Sequence, residues 1–326
     1  MDVSLWFNPG INVALQNISP FLTYLITRAT VGDTFPWYLM IVSLVYLGLH
    51  PKYGVRIAVL FGICESVFYS AKLIFHHPRP FWISSEVKVY QAEINFGFPS
   101  GGSMNAIALY GYIAITVRRW WITILCILVA LWVILARLFA GDHFLGDIAG
   151  GMLVGLILLV LYMVAMPGVE KFVGTLSRPA RILGIVALSC LPLILMIPAY
   201  CSVVNWQIPA VWVEVAQGHG VIINPVSIHW GVMGYFLGSL LGYEYLTTYR
   251  GGWNPPKDLM KKIVVVIAGT LSVLLLNMIV PSLFTLAGFS DFLPPVSEIL
   301  ATTLVFFWLS ACVPLIAKKL NYAGST

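Results

Sequence analysis

The chain has 326 residues, of which 60% are hydrophobic and only 10% charged, with mean hydropathy +0.91 and formal net charge +5. An ordinary globular domain carries about 25% charged residues, so this composition excludes a soluble enzyme, a disordered chain and a secreted disulfide scaffold. The eighteen Lys and Arg are scattered among apolar runs, so membrane lipid is an expected partner and nucleic acid is not.

Residues 1–35 mix Leu, Phe and Trp with polar positions and are expected to form an interfacial segment lying on the membrane. They lack a basic stretch leading into an apolar core, so no cleavable signal peptide is expected there. A helix needs about 20 apolar residues to cross the hydrocarbon. Nine such runs follow, near 36–50, 54–75, 98–117, 120–139, 147–167, 181–203, 228–247, 262–285 and 294–316. The expected fold is an all-α polytopic membrane protein with about nine transmembrane helices. Cys64, Cys126, Cys190, Cys201 and Cys312 show no close pairing and read as small packing residues, not as a disulfide framework or a metal knuckle.

Loop charge sets the expected orientation. In a nine-span reading thirteen of the eighteen basic residues fall on one side: Lys52, Arg56, Arg118, Arg119, Lys171, Arg178, Arg181, Arg250, Lys257, Lys261, Lys262, Lys318 and Lys319. The excess of basic residues on the cytoplasmic side then places the N-terminus outside and the C-terminus inside. Arg28, Lys72, Arg79, Lys88 and Arg137 are left for the outer face.

Three of those five sit at span ends on that face. The second span closes with Lys72 and, seven residues on, Arg79 between Pro78 and Pro80. That separation puts both cations near one helical face, and the prolines end the helix so that Arg79 turns over it. The third span opens with Phe98-Pro99-Ser100-Gly101-Gly102. A helix start offers unpaired N–H groups and positive charge, a natural seat for phosphate. Ser100 can cap that start, and Gly101 and Gly102 allow close backbone approach. The fourth span ends with Ala136-Arg137, and the fifth begins near His143 and Asp147. Taken singly, each feature has an ordinary explanation as a snorkelling cation, a cap or a structural pair. Their gathering on one face of a charge-poor chain is the signal.

These segments resemble the signature of the type 2 phosphatidic acid phosphatase (PAP2) superfamily. Lys72 to Arg79-Pro80 is similar to its first part, Pro99-Ser100-Gly101-Gly102 to its second, and Ala136-Arg137 through His143 to Asp147 to its third. The phrasing Lys-Leu-Ile-Phe-His-His-Pro-Arg-Pro-Phe-Trp and nine spans look most like the glucose-6-phosphatase branch. The resemblance implies a phosphatase core within 36–168, with 169–326 supplying the remaining core and C-terminal spans. It implies that His143 attacks phosphorus and forms a phosphohistidine, and that Asp147 orients His143. Lys72, Arg79, Ser100, Gly101 and Arg137 would bind the phosphate, with no metal and no other cofactor. The implied substrate is a phosphorylated lipid or a sugar phosphate such as glucose 6-phosphate, met at the extracytoplasmic face. Oligomeric state stays open.

One position departs from the pattern. Gly102 stands where the family carries the His that acts as general acid, a role worth about 10²–10⁴-fold. Three explanations fit: a substitution that traps a substrate complex, a non-catalytic pseudoenzyme that binds phospho-ligands, or a substrate such as a diphosphate whose leaving group needs little help. Ala136, in place of the family's Ser, removes only a neutral hydroxyl. His76 and His77 could stand in for the acid, or could be interfacial histidines beside a proline turn. His219 is expected in a flexible outer loop, and Asp142 is expected only to tune local charge. Glu65, two turns before Lys72, is expected either to balance an intramembrane polar pair or to meet a substrate hydroxyl. Glu244 is expected to snorkel, and Glu298 could line an access path.

Overall fold

The computed structural model describes residues 5–27, 35–226 and 229–324. Arg28 and the end of the expected interfacial segment lie outside the described residues. Within them every regular element is helical. α1 (Pro9–Ile18) and α2 (Pro20–Thr27) precede α3 (Phe35–Leu44), which runs into a π turn at Val45–Leu49. α4 (Pro51–Phe75) and the single turn α5 (Pro80–Ile83) lead into an irregular connection over 84–100. α6 (Gly101–Asn105), a π turn (Ala106–Tyr110) and α7 (Gly111–Val117) form one run. It is followed by α8 (Trp120–Phe139), α9 (Leu145–Thr175), α10 (Arg178–Ser189), α11 (Leu191–Val203) and α12 (Ala210–Gly218). α13 (Gly231–Tyr249), α14 (Leu259–Leu286), α15 (Phe289–Phe292) and α16 (Pro294–Phe307) come next, and a π turn (Trp308–Cys312) leads into α17 (Val313–Lys319).

Each of the nine expected runs holds helix, the third from Gly101 and the seventh from Gly231, and among the described residues six stretches are long and apolar enough to cross a membrane: Pro51–Ile83, Trp120–Phe139, Leu145–Thr175, Arg178–Val203, Leu259–Leu286 and Pro294–Lys319. The other three fall short for readable reasons. Pro36–Leu49 is too short, 101–117 is also short and opens with Gly, Ser and Asn, and α13 dilutes its apolar residues with Gly, Tyr, Thr and Glu244. Trp120, Leu128, Leu153, Leu161 and Val164 point outward and exposed, the arrangement a lipid solvent permits because each helix satisfies its own backbone.

The chain divides into two compact units, neither of them contiguous in sequence. The first holds the described residues of Met1–Thr34, Cys64–Pro167 and Leu193–Ile228. In it α9 approaches α6 through Gly151 and Gly155, a small-xxx-small pair. A Cβ at Gly151 would lie 2.3 Å from the Ser100 carbonyl oxygen, and one at Gly155 would lie 2.4 Å from that of Met104. An apolar cluster of Phe81, Trp82, Phe96, Val203 and Ala216 braces the 84–100 connection on its other side.

The second unit holds the described residues of Phe35–Ile63, Gly168–Pro192 and His229–Thr326. There Gly234, Gly238 and Gly242 of α13 leave no room for a Cβ against Thr302, Thr303 and Ser310. Glu170 accepts two bonds from Arg56, both 2.7 Å. Glu244 accepts from Arg181 at 3.0 and 2.7 Å, so it is half of a partly buried ion pair and not the snorkelling acid expected from its position.

Gly151→Ala is expected to push α6 and α9 apart and to cost about 1–3 kcal/mol, as overpacking does. Gly168→Ala, where a Cβ meets nothing within 4 Å, is expected to be neutral. Thermal unfolding of the two variants in detergent measures the difference.

Candidate active site

Four helix ends of the first unit converge: the C-termini of α4 and α8 and the N-termini of α6 and α9. α4 stops at Phe75, where His76 turns to a left-handed φ of 49° and its N–H bonds back to the Lys72 carbonyl at 3.3 Å. Arg79 then caps the turn α5. Through this geometry Lys72, Arg79, Ser100, Arg137, His143 and Asp147 all become buried. Burying cations is costly unless each finds a partner, and the partners explain most of the local structure.

The connection over 91–96 supplies them for two cations. Arg79 donates through Nε to the Asn95 carbonyl at 2.7 Å and through Nη2 to the Phe96 carbonyl at 3.3 Å. Asn95 Oδ1 accepts from both Arg79 Nη2 and Lys72 Nζ, the latter at 2.8 Å. Lys72 also donates to the Phe96 carbonyl, and its ammonium sits 4.6 Å from the Phe68 ring centroid. Glu93 Oε2 lies 3.7 Å from Arg79 Nη2, and Gln91 donates to Glu93 Oε1 at 2.8 Å. Burial works to raise the Glu93 carboxyl, but Arg79, Lys72 and Arg137 outweigh it and hold it down to about 2. Arg137 meets Asp142 at 3.2 Å, giving Asp142 a firmer place than a tuning charge.

His143 stands between a carboxylate and a guanidinium. Its Nδ1 is 3.6 Å from Asp147 Oδ2 and its Nε2 is 3.5 Å from Arg79 Nη1. Asp147 is held by the Phe144 N–H at 2.9 Å. Burial pushes His143 down to about 3; Arg79 and Lys72 act in the same direction, and Asp147 opposes them. The imidazole is therefore uncharged at neutral pH. Asp147 Oδ1 lies 3.4 Å from His77 Nδ1, so two imidazoles share one carboxylate. His76 is not part of this group; it stacks on Trp206 at 5.0 Å. His219 lies away from the group, against the Ser84 carbonyl at 3.3 Å and edge-on to the Phe81 ring.

Ser100 behaves as a cap: its Oγ accepts from the Ser103 N–H at 3.3 Å and the Ser103 hydroxyl at 3.0 Å. Its own N–H donates to the Asp147 carbonyl at 2.9 Å, tying α6 to α9. A Cβ at Gly101 would lie 2.5 Å from Phe68 Cε2, so glycine there makes room for the ring that supports Lys72. Gly102 is buried in the first turn of α6. Glu65 accepts from Asn105 at 2.8 Å, a polar pair inside the bundle. Glu298 belongs to the other unit, where it accepts from the Trp230 N–H at 3.2 Å. Among the described residues no three of His, Cys, Asp and Glu gather as a metal-binding group.

The N-terminal helix reaches the same turn. Asn12 donates to the carbonyls of Leu138 and His143 at 2.9 and 3.0 Å. Gln16 donates to those of Lys88 and Phe139 at 2.8 and 3.0 Å and accepts from the Lys88 N–H at 2.9 Å. Glu93, Asn95, Asn12 and Gln16 all escaped the sequence reading. The available signals were a pair of polar residues four apart on one face of α1 and an acid and an amide in a connection between motifs.

Two outcomes are expected. Asn12→Leu takes a donor from the buried carbonyls of His143 and Leu138, the second of which keeps the Gly141 N–H at 3.1 Å; a lost buried bond costs about 1–3 kcal/mol, so the variant should melt at a lower temperature than a substitution on the exposed face of α1. The second outcome concerns pH. The unfolded chain binds a proton on His143 below 6.5, whereas the folded chain waits until about 3. Stability from this group is complete above 6.5 and falls as pH drops through that window, by up to ~1.4 kcal/mol per pH unit. Glu93 acts in the same sense between 4.5 and about 2. Melting in detergent across this range, compared with His143→Asn, should show the variant with the shallower acid slope.

A family model described as PAP2 superfamily matches residues 52–171, and one described as PAP2 superfamily phosphatase, transmembrane extension, matches residues 230–325. Lipid phosphate phosphatase delta of Arabidopsis thaliana is 21% identical over 154 residues, a stretch that covers 42% of this chain and 37% of that relative. The chain thus matches well under half the length of this curated relative. A crystal structure of a transmembrane PAP2 type phosphatidylglycerolphosphate phosphatase from Bacillus subtilis shares 22% identity and a TM-score of 0.42, covering 52% of this chain and 86% of that one. With the two family models together matching most of its residues, the chain belongs to the PAP2 superfamily of membrane phosphatases.

Proposed function

We propose that this protein hydrolyses a lipid phosphate or diphosphate through a phosphohistidine on His143. The observation that carries this reading is the uncharged His143, with one ring nitrogen toward the Asp147 carboxylate and the other toward Arg79. In that tautomer Nδ1 keeps its proton beside Asp147, and the Nε2 lone pair is the nucleophile. The Nε2–P bond forms as the P–O bond to the leaving group breaks, and water then attacks phosphorus to release phosphate and restore the imidazole. Lys72, Arg79 and Arg137, with the first amides of α6 at Gly101 and Gly102, stabilise the equatorial oxygens. No metal is invoked, because these three cations carry the charge.

Gly102 decides which substrates turn over. With no imidazole there, the departing oxygen takes its proton from water, which disfavours a simple alkyl monoester and favours a diphosphate. Lipid is the leading substrate class because the curated relative is a lipid phosphate phosphatase. The wording of the first motif and the nine helical runs favour a sugar phosphate such as glucose 6-phosphate as the second reading. A phospho-ligand-binding pseudoenzyme is the third, and it rests on Gly102. In the proposed topology all nine runs lie in the membrane, with the active site and N-terminus extracytoplasmic and the C-terminus cytoplasmic, on the strength of the basic loops.

Phosphate release by the full chain and by Gly102→His, on lipid phosphate, lipid diphosphate and glucose 6-phosphate, tests the reading. The expected result is turnover of the diphosphate by the glycine form, and a gain of about 10²–10⁴-fold on monoesters with Gly102→His. His143→Asn should abolish both turnover and acid-labile phosphate on the protein. Absence of phosphate release from both the unchanged chain and the Gly102→His variant would overturn the enzyme reading.

A further inference from the structure

We propose that Glu93 is a resident anion of the phosphate site, displaced by an incoming phosphate, and that it makes the site select dianionic over monoanionic phosphate groups. The inference rests on the phosphate-site reading above and deepens it. It starts from charge balance. The described residues bring Lys72, Arg79 and Arg137 together with Glu93, Asp142 and Asp147, and His143 is uncharged. Three cations thus face three carboxylates, and the site is neutral before any ligand arrives. His77, at 3.4 Å from Asp147 Oδ1, is the other titratable group in contact with them.

The three carboxylates are not equally fixed. Asp142 and Asp147 are fully buried, one against Arg137 at 3.2 Å and the other under the Phe144 N–H at 2.9 Å. Glu93 lies on the irregular 84–100 connection, with its side chain 31% exposed and its contact to Arg79 longer, at 3.7 Å. It is the carboxylate with a route to solvent. Gln91, its hydrogen-bond partner two residues away, moves with the same connection, so leaving the cations does not require breaking a helix.

Displacement then imposes a charge rule. A phosphodiester carries one negative charge, so exchanging it for Glu93 gains no charge against the cations. A phosphomonoester dianion adds one charge, inside a buried site where each pairing is stronger than in water. Glu93 is accordingly a specificity-determining residue. It leaves phosphodiester lipids, the bulk of a membrane, without an electrostatic reason to occupy the site.

The test is ligand binding to the full chain in detergent at about pH 8, where inorganic phosphate is mostly dianionic, with inorganic phosphate and dimethyl phosphate as probes. The unchanged protein should prefer inorganic phosphate. Glu93→Gln, close in shape, should gain affinity for dimethyl phosphate and narrow the preference by about tenfold, while Glu93→Asp should keep it. A preference in Glu93→Gln equal to or wider than that of the unchanged protein overturns the inference while leaving the phosphate site standing. Binding of neither probe by any form overturns both. If Glu93→Gln fails to fold, Glu93→Ala reads the same ratio.

Discussion

Three buried cations set the terms for the first unit. Lys72, Arg79 and Arg137 are nearly inaccessible to solvent, and a guanidinium or ammonium in such a place needs a compensating acceptor in almost every direction. The path of 91–96 and the turn after α8 each present carbonyls or carboxylates to these groups. Helix ends are suited to this because their last carbonyls and first amides have no partner inside the helix. The first unit thus gathers helix ends with unpaired backbone groups in one place and sets three cations and three carboxylates among them.

Close helix packing holds those ends in register. Gly151 and Gly155 let α9 lie against the start of α6 at a separation that excludes even a methyl group, and the Ser100 N–H reaches the Asp147 carbonyl as a result. The candidate site and helix packing are therefore coupled in the same two turns. Asp147 is at once a carboxylate beside His143 and a backbone acceptor that fixes where the second motif begins.

Much of this was legible from residue order, and the reasons differ by element. The long apolar runs were readable because lipid demands length and low charge together, which is why α8, α9 and α14 appear close to where hydropathy places them. α13 was harder: its glycines serve helix contact and lower its hydropathy, so reading 228–247 as an apolar run overstates its fitness to span. Lys72, Arg79, Arg137, His143 and Asp147 were visible because charge is scarce and their spacing fits helix ends. The 91–96 connection was opaque, since Asn95 and the Phe96 carbonyl act through backbone direction that no spacing rule encodes. His77 could be singled out but not placed, because its contact with Asp147 depends on how α4 ends at His76.

The hydrogen bonds of α1 carry a consequence for where a functional module begins. The matched family region starts at residue 52, yet four carbonyls around the turn, those of Leu138, His143, Phe139 and Lys88, each accept a bond from Asn12 or Gln16. A boundary drawn by family likeness would cut these bonds and leave the turn that carries His143 to find other donors in a place poor in water. Transplanting this arrangement into another membrane scaffold thus means moving ten residues of N-terminal helix along with the motifs, as a detached piece of the same structure.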